Sequence, residues 1–496
     1  MKKQIRTLFS LVCALACTLA QAAPRLTVIV TVDGMHQEEL SALRTFWPQG
    51  GLRTLQEEAF QAEISFPHLV FGGAESVATL MTGVSPQEHG ISADGYFSRS
   101  DRKAHAIFAD ADFKGIGTKQ TFSPNDLLAT TLSDRFRRMS GEKSMIYAVG
   151  LDPYTTLCMA GHSANACCWM DAKENRWATT SYYTEGLPAA ADKMNTSDRF
   201  NEAESKVWTP RMDVLQYMHP TPQEKKKSFS YTGLQKGHAP IANELIIELA
   251  LAIQKDRKMG EDPLPDLLLL QLTTLSPKAQ SDHIESAEQE EMYLSVNQNI
   301  GFLMEQLDKR IGKENYQILV VGLPRLGSSQ AQLQLSGLPR KAFNLDRAIA
   351  LASTYLMALY GHERWIDGGY GHAIYLNRTL IEQKKLPLET IRKQVSNFML
   401  EFSGVQGACS ASELPLMQGN AEAVRLRESM QKRTMGDVVF WLEENWVVMN
   451  ADDQPVDYVV DRNPLVPLLF WSGTLRNYPD RKAVHITTIQ DLLFDY

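Results

Sequence analysis

Residues 265–328 read PDLLLLQLTTLSPKAQSDHIESAEQEEMYLSVNQNIGFLMEQLDKRIGKENYQILVVGLPRLGS, two apolar runs of strand length separated by a long amphipathic stretch. Within that stretch Ile300, Leu303, Met304, Leu307 and Ile311 recur at helical spacing, with Glu305, Gln306, Lys309 and Arg310 on the other faces. Uninterrupted apolar runs suit strands buried on both faces, and a helix between two of them makes a βαβ unit with parallel strands. The pattern recurs, with strands predicted at 26–33, 145–151, 266–273, 316–323 and 466–471, and further helices at 243–258, 345–359 and 388–401. An α/β fold follows, with a central, mainly parallel sheet flanked by helices on both faces. The polar stretches 190–237 and 406–435 read as segments inserted on that sheet, so residues 23–496 form one domain. A chain of 496 residues with 44% apolar content can bury a core of this kind.

The formal net charge of −8 offers no basic field for a phosphodiester backbone, which argues against nucleic-acid binding. Residues 1–22 have a basic start, an apolar run and the small-residue pattern Ala20-Gln21-Ala22, the features of a cleaved secretory signal. The run is short for a membrane anchor. Lipidation at Cys17 is disfavoured by Ala14, three positions earlier. Export to the periplasm or cell envelope of a Gram-negative-type bacterium is expected, with no transmembrane segment in the mature chain. That leaves Cys158, Cys167, Cys168 and Cys409 where disulfides can form. Their spacing does not fix a pairing, and small buried thiols fit equally well. His162, beside them, reads as a structural histidine.

The strand at 26–33 ends VTVDGM, which puts Asp33 at the carboxyl end of a parallel strand, where α/β sheets hold their ligands. A metal ligand and a turn-capping carboxylate both fit that residue. Further on, Phe66-Pro67, Thr82-Gly83 and Pro86-Gln87-Glu88-His89-Gly90-Ile91 frame a segment that resembles the nucleophile region of the alkaline phosphatase superfamily. The similar branch holds the type I phosphodiesterases, nucleotide pyrophosphatases and periplasmic phosphate-irrepressible alkaline phosphatases. The resemblance continues through Ala160-Gly161-His162, Trp169, Thr180-Ser181-Tyr182-Tyr183, the strand at Pro265, Gly361 to Asn377, Gly436-Asp437-Val438-Val439 and Ile486-Thr487-Thr488-Ile489, all in family order.

That family implies two zinc ions held by carboxylates and imidazoles, with a hydroxyl nucleophile between them. Asp33 matches the first ligand and is the sole ligand-like survivor. The nucleophile's place falls on Gly73 or Val70, neither of which has a hydroxyl, and Ser76 is the nearby stand-in. An Asp-x-x-x-His pair falls on Ser276 and Gln280, an Asp-His pair on Pro324 and Arg325, and the last imidazole near Val456. The phosphate-binding amide falls on Asp94 and the basic pair on Asp152 and Tyr154. A phosphoryl group there would meet carboxylates, at a cost on the order of a few kcal/mol per close contact.

The sequence therefore leads to a superfamily member with degenerate metal and nucleophile sites, no cofactor, no catalytic residue and a role in binding or assembly beside an envelope protein partner. Arg325 is expected to pair with Asp33 in place of a metal, leaving a mixed-charge cleft suited to a zwitterion, a glycan or no ligand at all. The alternative is an active phosphomonoesterase or phosphodiesterase with two zinc ions held by other residues, for which Asp282, His283, His362 and His372 are the nearest recruits.

Overall fold

A computed structural model describes residues 24–212, 216–219, 233–234, 237–279, 283–325, 337, 339–443, 445–449, 455–457, 465–474 and 483–494. Ten strands form the main sheet: β1 (Leu26–Asp33), β2 (Phe60–Ser65), β3 (Gly115–Ile116), β4 (Ile146–Gly150), β5 (Ala166–Asp171), β6 (Arg176–Thr180), β7 (Asp266–Thr273), β8 (Tyr316–Leu323), β9 (Val466–Ser472) and β10 (Ala483–His485). Their order is β10-β2-β9-β8-β1-β7-β4-β5-β6-β3. The central strands β8, β1, β7, β4 and β5 run parallel, as expected, while β9 and β6 enter antiparallel on either side and make the sheet mixed.

The apolar runs explain this centre. Every residue of β1, β7 and β8 is buried, because helices cover both faces. On one face lie Pro240–Arg257 and α3 (Ala287–Arg310), whose Ile300, Leu303 and Leu307 pack with Val28, Val30 and Leu270. On the other lie α1 (Ala74–Thr82) and α2 (Pro153–Ala160), packed with Ile29, Leu267 and Val321. Cys158, Cys167, Cys168 and Cys409 are buried free thiols, and burial raises the pKa of each. His162 pairs with Asp134 across 3.3 Å, which raises its pKa against a smaller opposing effect of burial.

The start of the 406–435 stretch supplies one strand, Val405–Ser410, of a second, four-stranded sheet whose other strands are Ile366–Tyr370, Ala373–Leu376 and Val438–Leu442. Helices Leu345–Tyr360 and Leu388–Met399 cover one face of it. Its hub is Asp437, fully buried, which meets Arg99, Arg378 and Arg392 at 2.8 Å each and accepts from Leu376 N at 2.9 Å. The other face meets Leu69 and Phe71 of the main body. The described part of 190–237 begins with short helices at Ala189–Thr196 and Arg199–Ser205.

One glycine sets the entrance to the site. A Cβ on Gly322 in β8 would lie 2.3 Å from the Met35 carbonyl oxygen, so only glycine lets the segment after β1 cross β8 closely. Gly322→Ala is expected to lower stability by about 1–3 kcal/mol, read from urea denaturation, by pushing that segment away.

Candidate functional site

Four neighbouring parallel strands bring their carboxyl ends together, and each delivers one polar group. Asp33 ends β1, in register with Leu323 of β8 and Thr273 of β7. Arg325 lies two residues beyond Leu323, Gln271 lies within β7, and Asp152 lies two residues beyond Gly150 at the end of β4. Asp152 also caps α2, its Oδ1 accepting from Thr155 N at 2.9 Å.

Arg325 is the centre of the arrangement. Its Nη2 lies 3.0 Å from Asp33 Oδ2 and 3.2 Å from Asp152 Oδ2, and donates to Thr155 Oγ1 at 2.7 Å. Its Nη1 donates to the Gly72 carbonyl at 2.5 Å. Gln271 ties the same carboxylates together, Nε2 donating to Asp33 Oδ2 at 2.8 Å and Asp152 Oδ2 at 2.7 Å, while its Oε1 accepts from Leu151 N at 2.8 Å. The Asp33 side chain is 8% exposed and that of Arg325 14%. Burial raises the pKa of Asp33 against the opposing charge of Arg325. Burial alone would depress Arg325, but Asp33 and Asp152 outweigh it and its pKa rises, so the guanidinium stays charged.

The turn before α1 is built around the same guanidinium. Glu75, fully buried, folds back so that Oε1 accepts from Phe71 N at 2.7 Å, Gly72 N at 3.0 Å and Gly73 N at 3.2 Å. Gly73 then caps α1 at φ 128°, a conformation that side chains rarely adopt. A Cβ on Gly73 would fall 2.0 Å from Arg325 Nη1 and 2.4 Å from its Cζ. Arg325 therefore occupies the space that a side chain at position 73 would need. Val70 is buried in the core, and Ser76 is fully buried, its hydroxyl without a partner among the described residues.

The remaining sequence candidates, except Asp94 at the rim, lie apart from this cluster or outside the described residues. Ser276 is buried after β7. Gln280 and Asp282 lie outside the described residues, as does the side chain of Val456. His283 meets Glu39 Oε1 at 3.2 Å and the ring of His36 at 4.9 Å. His372 is buried against Phe440, and His362 is exposed beyond the helix Leu345–Tyr360. Tyr154 packs edge-on to Phe122 at 5.7 Å. Asp94 still meets water at the rim, and desolvation lifts it to about 6 against Arg325, with Glu75, Asp152 and Asp33 adding to the rise and solvent screening it.

Zinc fits this set poorly. It needs lone pairs from several ligands at about 2.0–2.3 Å, whereas the groups facing Asp33 Oδ2 are N–H donors, one of them on a fixed cation. Asp33 Oδ1 is without a hydrogen-bond partner among the described residues, yet one free oxygen does not hold an ion pair of metals. Among the described residues no cluster of three or more His, Cys, Asp or Glu is arranged for a metal ion. Sequence reading missed Gln271, Thr155 and Glu75. Gln271 alone left a trace, a polar residue inside the run DLLLLQLT that must find buried partners.

A family model described as type I phosphodiesterase / nucleotide pyrophosphatase matches residues 27–464. The chain is 22% identical over 499 residues to the alkaline phosphatase PafA of Elizabethkingia meningoseptica, covering 95% of this chain and 91% of that protein. It is 22% identical over 451 residues to the alkaline phosphatase PhoV of Synechococcus elongatus, covering 86% and 81%. The crystal structure of wild-type PafA matches with a TM-score of 0.82 at 20% identity, covering 95% of this chain and 96% of that one. A phosphonoacetate hydrolase from Sinorhizobium meliloti 1021 matches at 0.55 with 12% identity, covering 95% and 96%. These structural likenesses establish the alkaline-phosphatase-like fold.

Removing the guanidinium by Arg325→Met is expected to cost about 3–5 kcal/mol at pH 8, because it strands the buried carboxylate of Asp33. The pH dependence has a definite sign. A carboxyl whose folded pKa is raised, as that of Asp33 is, stabilises the fold below its unfolded value and loses that contribution as pH rises through the folded value. Without Arg325 the folded pKa climbs further, so the deficit in urea denaturation shrinks as pH is lowered from 8 toward about 4. A deficit that is constant with pH would show that the guanidinium acts through packing instead.

Proposed function

Because the chain belongs to the type I phosphodiesterase / nucleotide pyrophosphatase family yet sets a guanidinium against Asp33, we propose that it is a non-catalytic alkaline-phosphatase-superfamily member of the cell envelope with a role in binding or assembly. The supporting observation is the position of Arg325, bonded to Asp33, Asp152, Thr155 and the Gly72 carbonyl and filling the space above Gly73. Zinc-dependent phosphoryl transfer requires lone-pair ligands and an oxygen nucleophile at those positions, and the chain presents N–H donors and a glycine. No helix among the described residues is long and apolar enough to cross a membrane.

The second reading, a metal-dependent phosphoric ester hydrolase with a substituted site, draws support from relatives named as alkaline phosphatases that align over 95% and 86% of the chain. Metal analysis and turnover separate the two. The mature chain, equilibrated with zinc and desalted, is expected to retain well below about one zinc per chain, to hydrolyse neither p-nitrophenyl phosphate nor bis-p-nitrophenyl phosphate above buffer, and to keep its Tm in chelator. About two zinc ions per chain with chelator-sensitive turnover would establish the hydrolase instead.

A further inference from the structure

An open groove of about 620 Å³ runs between the helix Pro240–Arg257 and α3, a volume within the range of small-molecule sites. Its walls are two stripes at helical spacing, Ile247, Leu251 and Ala252 on the first helix and Gln298 and Phe302 on the second. Ile247 and Leu251 are buried at the floor, whereas Phe302 stands 49% exposed. A lone exposed ring is ordinary on a protein surface. A ring that walls a groove with an apolar floor offers a ligand contact on two sides.

The two ends of the groove differ in charge. At one end Arg211 spans the helices, its Nε donating to Gln298 Oε1 at 2.7 Å while the guanidinium pairs with Glu244 at 3.4 Å and with Glu291. The carboxylates there are matched, because Glu244 also meets Lys206 at 2.7 Å and Glu248 meets Arg199 at 2.7 Å. At the other end Arg310 spans the same helices, its Nη1 donating to the Leu251 carbonyl at 2.7 Å and to Gln254 Oε1 at 2.9 Å. Both of those acceptors are neutral. Lys255, one turn beyond Leu251, lines this end too, and neither cation has a carboxylate partner among the described residues. They lie in the last turns of their helices, whose dipoles together amount to about one negative charge. Two fixed cations exceed it.

An apolar channel with one positive end and one neutralised end selects a molecule that carries its charge at one terminus. We infer that the groove binds a single-chain anionic amphiphile, a fatty carboxylate, with its chain along Leu251, Ala252 and Phe302 and its head between Lys255 and Arg310. The reverse orientation would set the carboxylate beside Glu244 and Glu248, against an arginine whose donors are already used. No residue of the Arg325 cluster lines the groove, so the site stands whether or not that cluster turns over phosphate esters.

The test is a calorimetric titration of the purified chain at neutral pH with decanoate, decanol and decyltrimethylammonium, each below its micelle concentration. Decanoate is expected to bind one to one and at least about tenfold more tightly than the trimethylammonium, with decanol between them. The chain's net charge of −8 would favour the opposite order for adsorption at random, so preference for the anion reports a local positive site. Lys255→Glu, at an exposed position, should weaken decanoate by at least about fivefold and leave decanol unchanged. Ala252→Trp, which sets an indole in the channel, should abolish binding of both. Should that variant fail to fold, Phe302→Ser at its half-exposed position should weaken both instead. Equal affinity for the three ligands, decanoate binding that Lys255→Glu leaves untouched, or no binding of decanoate overturns the proposal.

Discussion

A buried carboxylate, Asp33, and a half-buried one, Asp152, must be compensated where the central strands end, and that requirement organises this end of the molecule. Parallel strands in register deliver Asp33 and Asp152 to one place whatever the chemistry around them. Leaving Asp33 unpaired away from water costs several kcal/mol, more than most single contacts return. Arg325 supplies the counter-charge and Gln271 the remaining donors. The turn at Gly72 and the first turn of α2 are then fixed to the same guanidinium, through a carbonyl and a threonine hydroxyl. The shape of the cleft is thus an electrostatic result carried by a sheet whose own stability is apolar.

How much of this the sequence discloses depends on the range of the signal. β1, β7 and β8 are legible to the residue, because strands buried on both faces must be apolar throughout, and helix α3 follows from its 3.6-residue spacing. The antiparallel entry of β9 and β6 is not, since an apolar run carries no direction. At the site, Arg325 beside Asp33 is reachable from the family resemblance, which sets both at metal-ligand positions. The role of Glu75 is hidden, because it rests on three backbone N–H groups of a turn whose path depends on the glycines before it. Asp152 reads as a lost cation position and is found as a shared partner of Arg325, a fact of three dimensions.

The second sheet contributes differently. Asp437 gathers arginines from a hairpin and two helices, so its assembly depends on one buried carboxylate in the way that the cleft depends on Arg325. It closes on the main body through Ser429 at Leu69 and Glu428 at Ser85, next to the turn that leads to Gly73. The two polar hubs therefore bracket one short stretch of chain, and a small cavity beside His372 lies in the seam between them.

The contact between Gly73 and Arg325 also bears on how such a chain can change over generations. A side chain added at 73 meets the guanidinium, and a guanidinium removed at 325 leaves Asp33 and Asp152 without their counter-charge, so a change at either residue is harmful when taken alone. The two positions are coupled, so a variant that alters one is tolerated better when the other changes with it.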